Sequence, residues 1–121
     1  MKIAVPSENA NGLASLRSGH FGHAAYMTVV ELDDGMNVVG VESRPNVEHG
    51  EGGCGNVIAH VLDMDVDGIL AAGMGMRPLS VFNANGMTVY FETTEPVVGP
   101  AVELLAQGKV RAMSPDDACQ H

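Results

Sequence analysis

The sequence predicts an α/β domain built on a five-stranded mixed sheet, with helices on both faces. Short apolar runs bounded by glycine, proline or aspartate are typical of strands, and later segments show a helical period. Read in order, these segments give the succession βββαβαβα, in which strands first follow one another and then alternate with helices. The length of 121 residues matches one domain, residues 1–121.

The first three strands are predicted from apolar runs and from one turn signal. Residues 2–6 form a compact apolar run that ends at proline, and residues 25–32 and 37–42 are rich in valine. The sequence Asp-Asp-Gly at 33–35 separates the last two and predicts a hairpin, because Asp-Gly suits the positive-φ positions of tight turns. Proline, asparagine and three glycines at 44–53 predict a long mobile loop.

The remaining elements follow from the change of period. They are a helix from residue 55, a strand at 68–72, a helix at 76–85, a strand at 86–91 and a helix at 100–107. Pro78 falls in the first turn of its helix, where proline is tolerated. Gly108 follows the last helix at the position where a left-handed residue usually ends one. Cys54 precedes the first helix, beside backbone donors that favour a thiolate.

The strand order predicts where a ligand would bind. Helical crossovers require the first, fourth and fifth strands to run parallel. Ligands in open sheets of this kind lie beyond the carboxyl ends of the parallel strands. Those ends lead into the segments 7–22, 73–77 and 92–95, which we expect to meet at one edge of the sheet.

Charge and composition exclude several classes of partner. The formal net charge of −9 opposes binding to nucleic acid and to anionic lipid surfaces. The N-terminal residues contain no apolar stretch of signal-peptide length, and no apolar run is long enough to span a membrane. We therefore expect a cytoplasmic protein, in which Cys54 and Cys119 do not form a structural disulfide.

The segment Ser18-Gly19-His20-Phe21-Gly22 is the most informative motif. It places one histidine and one aromatic ring between glycines, which allow a bulky ligand to approach the main chain. A histidine held in such a turn presents a ring nitrogen to that ligand, although a solvated turn histidine is the plain alternative. Both readings concern His20, since the nearby His23 fits a surface residue better than a ligand.

Two further glycine-rich loops carry candidate ligands. His49 and Cys54 flank a flexible segment and could share one metal, but two ligands do not complete a site. The alternative is a buried thiol with a solvated histidine nearby. In the other loop, Gly73, Gly75 and Arg77 form a glycine turn before a helix. Such a turn favours close approach of an anion to backbone donors more than it indicates a nucleotide site.

These motifs together resemble the dinitrogenase iron-molybdenum cofactor biosynthesis family. Its members include nitrogenase accessory proteins of the NifX type and the orange protein with its molybdenum-copper sulfide cluster. The likeness covers nearly the whole chain. The matching segments are MKIAVPS, SGHFGHAAYM, the Cys54-Gly55 pair, GILAAGMGMR and NGMTVY.

The resemblance implies a ribonuclease H-like fold and a protein that binds, stores or hands over a metal-sulfur cluster without being an enzyme. The implied cargo is a molybdenum-copper sulfide or an iron-molybdenum cluster, and the implied partner is a cluster donor or acceptor protein. His20 is the implied ligand. Its implied surroundings are Ser18, Phe21, Gly22, Gly73, Gly75 and Arg77, with His49 and Cys54 as further metal ligands.

One feature departs from this expectation, and two alternatives compete with it. Anionic clusters are usually met by positive charge, but only Arg17, Arg77 and Lys2 are expected near the edge, so glycine-turn amides must contribute attraction. A two-metal nuclease is disfavoured because residues 2–6 contain no carboxylate. A metal-responsive or partner-binding module that uses the His49 to Cys54 loop without a cluster stays open.

Overall fold

A computed structural model describes residues 1–47 and 54–118 and shows a mixed α/β fold with one six-stranded sheet. The strands are β1 Lys2–Ser7, β2 Tyr26–Leu32, β3 Val38–Pro45, β4 Gly68–Ala71, β5 Thr88–Phe91 and β6 Arg111–Ala112. The helices are α1 Cys54–Leu62, α2 Met76–Ala84 and α3 Val98–Ala106. Short 3-10 turns at Gly12–Ala14 and Phe21–His23 interrupt the segment between β1 and β2.

The sheet has the spatial order β3-β2-β1-β4-β5-β6. β1 pairs parallel with β4, and β4 pairs parallel with β5, which confirms the predicted parallel set. β2 runs antiparallel to both β1 and β3. The expected five strands are corrected by β6, which adds antiparallel to β5. Two residues are too few to show a strand period, so β6 has no signal in the sequence.

Helices cover both faces of the sheet. Successive strand residues point to opposite faces, and the buried side chains separate accordingly into two clusters. On one face, Ala4, Val29 and Ile69 belong to a cluster with residues of α1 and α2. On the other, neighbouring strand residues such as Ile3 and Leu70 pack with α3.

The hairpin of β2 and β3 forms, but its turn differs from the expected one. The positive φ falls on Met36, at 62°, and Gly35 does not need it. The Asp33 carboxylate accepts hydrogen bonds from the amides of Gly35 and Asn37, both at 2.9 Å. These two bonds stabilise the turn between β2 and β3. β3 also continues to Pro45, so residues 44 and 45, expected in a loop, belong to the sheet.

The third helix begins earlier than the sequence predicts and ends as predicted. α3 begins at Val98, two residues before the predicted start, with Pro100 in its first turn where proline is tolerated. Gly108 has a φ of 72°, which confirms the predicted left-handed residue after that helix. No helix in the described parts of the chain is long and apolar enough to cross a membrane.

Candidate functional site

Three loops meet at the carboxyl edge of the parallel strands, hereafter the carboxyl edge. β1, β4 and β5 run in one direction, so the segments that follow Ser7, Ala71 and Phe91 leave the sheet at the same side. β3 is parallel to β1, since both oppose β2, and it ends there too at Pro45. α1 starts after this end, so the backbone of Cys54 lies by topology on the same side of the sheet.

Ser18 fixes the conformation of the first loop. Its amide donates to the carbonyl of Pro6 at 2.9 Å, which holds the loop against the end of β1. Its hydroxyl donates to the carbonyl of His20 at 2.9 Å and accepts from the amide of His20 at 3.2 Å. With Ser18 only 4% exposed, these bonds occupy its side chain. Ser18 therefore positions His20.

Phe21 anchors the same turn to the second loop. Its ring is 1% exposed and packs edge-on against Phe82 of α2, with the ring centroids 5.3 Å apart. Its amide donates to the carbonyl of Gly73 at 3.1 Å. The glycine turn before α2 and the histidine turn are thus joined through one residue. Phe21 supports the site from within the core, and the half-buried Gly22 follows it.

His20 and His23 lie side by side on the surface of this turn. Both residues are exposed, and their rings meet edge to face with centroids 5.8 Å apart at 78°. The 3-10 turn Phe21–His23 brings them together, because residues three apart lie on the same side of such a turn. The sequence predicts His23 on the surface and favours that over a place among the ligands. The spacing of three residues was the available signal.

The second loop leads directly into α2. Gly73 is buried, and Gly75 caps the helix with a φ of −71° and no side-chain hydrogen bond. The first turn of a helix leaves amides without intrahelical acceptors, and Pro78 contributes none of them. A Cβ at Gly75 would touch Pro78 at 3.6 Å, an ordinary contact, so this glycine is not required by its backbone angle or by crowding within the chain. Arg77 is exposed beside it.

A buried ion pair ties the first loop to the third. The Arg17 guanidinium donates to Glu92 Oε1 at 2.7 Å and to the carbonyls of Glu92 and Glu95, each at 2.9 Å. The two side chains are only 3% and 7% exposed. Within the described residues, Arg17 Nε has no hydrogen-bond partner. The loops after β1 and β5 are therefore held together by charge-assisted bonds in a dry environment.

The Glu92 carboxylate stays ionised in this position. Burial raises the pKa of Glu92, but hydrogen bonds from the hydroxyl and amide of Thr94 and from the amide of Glu95 outweigh it. The charge of Arg17 acts in the same direction, and the net effect is a lowered pKa. The pair is a permanent structural clamp at neutral pH.

This arrangement corrects two expectations about positive charge. Arg17 does not face a ligand, because Glu92 and two carbonyls already occupy its guanidinium. Lys2 begins β1 and so lies at the opposite end of the parallel strands. Arg77, of the three expected cations, is the one that lies exposed at the carboxyl edge.

The remaining predicted ligands are only partly placed. His49 lies outside the described residues, and for Cys54 the structure gives the start of α1 but not the side chain. His60, on α1, contacts the carbonyl of Pro45 through Nε2 at 3.1 Å. Across residues 1–47 and 54–118, no three or more His, Cys, Asp or Glu side chains are grouped to hold a metal ion.

Comparison with known proteins shows the family. The family model described as dinitrogenase iron-molybdenum cofactor matches residues 1–108. The uncharacterized protein MJ0580 of Methanocaldococcus jannaschii is 31% identical over 115 residues, which cover 91% of this chain and 89% of that protein.

Solved structures share the fold. The crystal structure of PH0822 is 26% identical with a TM-score of 0.75, covering 93% of this chain and 96% of that one. The apo form of the orange protein from Desulfovibrio gigas is 24% identical with a TM-score of 0.77, covering 93% and 92%. Matched over most of its length, the chain described here belongs to the dinitrogenase iron-molybdenum cofactor family.

Proposed function

We propose that this protein is a carrier that binds, stores or transfers a metal-sulfur cluster at the carboxyl edge. The observation that carries the proposal is the pair of exposed imidazoles, His20 and His23, on a turn bonded to the glycine loop before α2. The cluster is cargo, of the molybdenum-copper sulfide or iron-molybdenum type. Family membership and the likeness to the orange protein support cluster binding as the general role.

The donor set at the edge suits such a cargo. Imidazole nitrogen is a good ligand for copper and iron. The amides at the start of α2 and the Arg77 guanidinium would attract the negative charge of a sulfide cluster. Gly22, Gly73 and Gly75 would leave the main chain open to it, while Ser18 and Phe21 hold the turn in place. The clamp formed by Arg17 and Glu92 adds no free charge.

Further ligands would come from the loop between β3 and α1. His49 and Cys54 are the candidates, because the loop leaves the sheet at Pro45 on the carboxyl edge and α1 begins at Cys54. Cys54 would supply a soft thiolate and His49 a further imidazole nitrogen, which the described residues do not bring together. If this loop instead binds zinc or a partner without a cluster, the protein is the metal-responsive module considered above.

The proposed carrier function has further parts. The protein is not an enzyme, works in the cytoplasm, and exchanges the cluster with a donor or acceptor protein. We also assign the fold as ribonuclease H-like, and the order β3-β2-β1-β4-β5 with β2 reversed supports this assignment. Its acidic charge of −9 favours partners with basic surfaces.

Anaerobic reconstitution tests the function directly. Separate samples of the purified chain are incubated with copper(I) and thiomolybdate salts, with iron and sulfide, and with zinc, then freed of excess reagent. We expect a visible chromophore that stays with the protein at a fixed metal content by elemental analysis. A colourless protein that takes up only zinc would contradict carriage and favour the metal-responsive module.

His20→Ala tests the assigned ligand. We expect cluster affinity to fall at least about tenfold, because losing a ligand should cost no less than losing a supporting contact to one. The free energy of unfolding should change by less than about 0.5 kcal/mol, since the side chain is exposed. Asn83→Ala, at an exposed position near the end of α2, is the control. Uptake by His20→Ala as tight as by the parent protein would remove His20 from the site.

A further inference from the structure

β3 forms an outer edge of the sheet and carries exposed valines. It is the terminal strand in the spatial order, and within the described residues β2 is its strand partner. Val38, Val39 and Val41 are 41%, 58% and 41% exposed, and Val47 just beyond the strand is 38% exposed. Edge strands usually carry charges, prolines or bulges that prevent pairing with another chain. β3 carries each of these features, namely a bulge beside Glu31 and Leu32, the charges of Glu42 and Arg44, and Pro45, so a partner strand must match them.

The two faces of β3 differ in chemistry. Glu42 and Arg44 pair with Val29 and Met27 of β2, so they lie on the face that α1 and α2 cover. Their side chains form an exposed ion pair at 3.1 Å. Val41 pairs with Val30 and so lies on the α3 face. Because side chains alternate, this second face also carries Ser43 and Pro45, whereas the register shift beside Leu32 interrupts the alternation before Val39.

Charge complementarity selects one way for β3 to pair with itself. A twofold axis perpendicular to the sheet keeps each face on its own side, so one residue must lie opposite its own copy. With Ser43 at the axis, Glu42 of each copy lies opposite Arg44 of the other. With Glu42 or Arg44 at the axis, like charges would face each other, which is destabilising.

The same register also matches the apolar face. With Ser43 at the axis, Val41 lies opposite Pro45 of the other copy. One face of the joined strands would then hold two Glu-Arg pairs and the other two contacts between Val41 and Pro45. Both sets contribute to cross-strand stabilisation.

We propose that two copies of this chain associate through antiparallel pairing of β3 with β3, centred on Ser43, to form one continuous sheet. The partner is a second copy because the strand is complementary to itself in charge and in apolar pattern. An interface of one strand pair is small, so the dimer is of the transient class and forms with increasing concentration. The net charge of each copy opposes it at low salt.

Sedimentation equilibrium with charge reversals tests this register. The parent protein at about 0.15 M salt, where long-range repulsion is screened, should shift from monomer to dimer as concentration rises. Glu42→Arg or Arg44→Glu should each weaken association about tenfold, because each places like charges opposite one another twice. The double reversal should recover it. Glu103→Arg on the exposed side of α3 and Lys109→Glu are controls for the net-charge change, and circular dichroism verifies the fold of each variant.

Two results of this experiment would contradict the proposal. A parent protein that stays monomeric up to millimolar concentration overturns it. Association that survives both single reversals, or that the double reversal does not recover, overturns the β3 register.

Disulfide capture provides an independent test. In a Cys54→Ser and Cys119→Ser background, Ser43→Cys lies opposite its own copy at the axis and should cross-link with oxidised glutathione. Val41→Cys lies opposite Pro45 of the other copy and should not. Preferential cross-linking through position 41, or none through position 43 at concentrations where the dimer sediments, overturns the proposed register.

Discussion

The carboxyl edge buries polar side chains, whereas the β3 edge exposes apolar ones. At the carboxyl edge, polar side chains of Arg17, Ser18 and Glu92 are buried and bonded to neighbouring loops. At the β3 edge, Val39 and Val41 are exposed to solvent. Burying polar groups costs free energy unless each finds a partner. Among these side-chain groups, all but Arg17 Nε meet this condition within the described residues, and the result is a fixed turn under exposed histidines.

The two edges therefore show that the side chains that hold the site in place differ from those that are available to its ligand. Side chains that fix the His20 turn are inaccessible, whereas those available to a ligand or a partner contribute little to core packing. Substitutions at the two edges should therefore differ in kind: buried polar changes should lower stability, and exposed changes should alter binding only.

The largest effect is expected for Arg17→Met. Removing one partner of a buried ion pair leaves the Glu92 carboxylate without its counter-ion, which costs about 3–5 kcal/mol in free energy of unfolding. Urea denaturation measures this cost. Arg44→Met removes one partner of the exposed pair on β3 and, at micromolar concentration, should cost less than about 1 kcal/mol. Equal losses of unfolding free energy in the two variants would show that the buried Arg17–Glu92 pair stabilises the fold no more than the exposed pair on β3.

Ser18→Ala should have the next largest effect. It removes the hydroxyl that both donates to and accepts from the backbone of His20, so we expect a loss of about 1–2 kcal/mol. Thermal unfolding provides the measurement, with Ser80→Ala on the exposed side of α2 as control. Cluster uptake should also weaken, since the turn loses its support. A variant with unchanged stability and uptake would mean that Ser18 does not position His20.

Acid should weaken the clamp. The folded-state pKa of Glu92 is lowered, so the unfolded chain binds a proton at a higher pH than the folded one does. The stabilisation is thus fully present above the ordinary glutamate pKa of about 4.3 and is lost as pH falls through the lower folded value. Glu92→Gln should show a shallower fall of unfolding free energy below pH 5. Parallel pH profiles for the two proteins would contradict this.

The smallest effect is expected at the β3 edge. Val39→Thr replaces an exposed apolar side chain with a polar one of similar shape and strand preference, so unfolding free energy should change by less than about 0.5 kcal/mol. Denaturation at micromolar concentration, below the range in which we expect β3 pairing, measures it. A loss comparable to that of Ser18→Ala would show that Val39 is part of the core, and the contrast between the two edges would disappear.

Local sequence signals predicted most of the fold. The apolar runs located five strands, and the helical periods located three helices, with ends shifted by one to three residues. Local sequence patterns did not predict the features that depend on contacts outside the segment. β6 exists because Arg111 and Ala112 meet β5, and the positive φ at Met36 follows from how Asp33 closes its turn.

The site was predictable in location but not in detail. Topology placed the motif at the carboxyl edge, because parallel strands bring their carboxyl ends together whatever the loops contain. The identity of ligands stays a prediction for His20, His49 and Cys54. The role of His23 beside His20 depends on a short 3-10 turn, for which the sequence offered only the spacing of three residues.

The sequence by itself determined the order of the first five strands and the three helices, the acidic charge and the histidine turn, since these depend on neighbouring residues and on composition. The tertiary structure alone decided what each charged side chain does. Arg17 resembled a ligand-facing cation until the fold brought Glu92, 75 positions away, against it. Pairing over such a distance depends on how strands pack, and no local pattern encodes it.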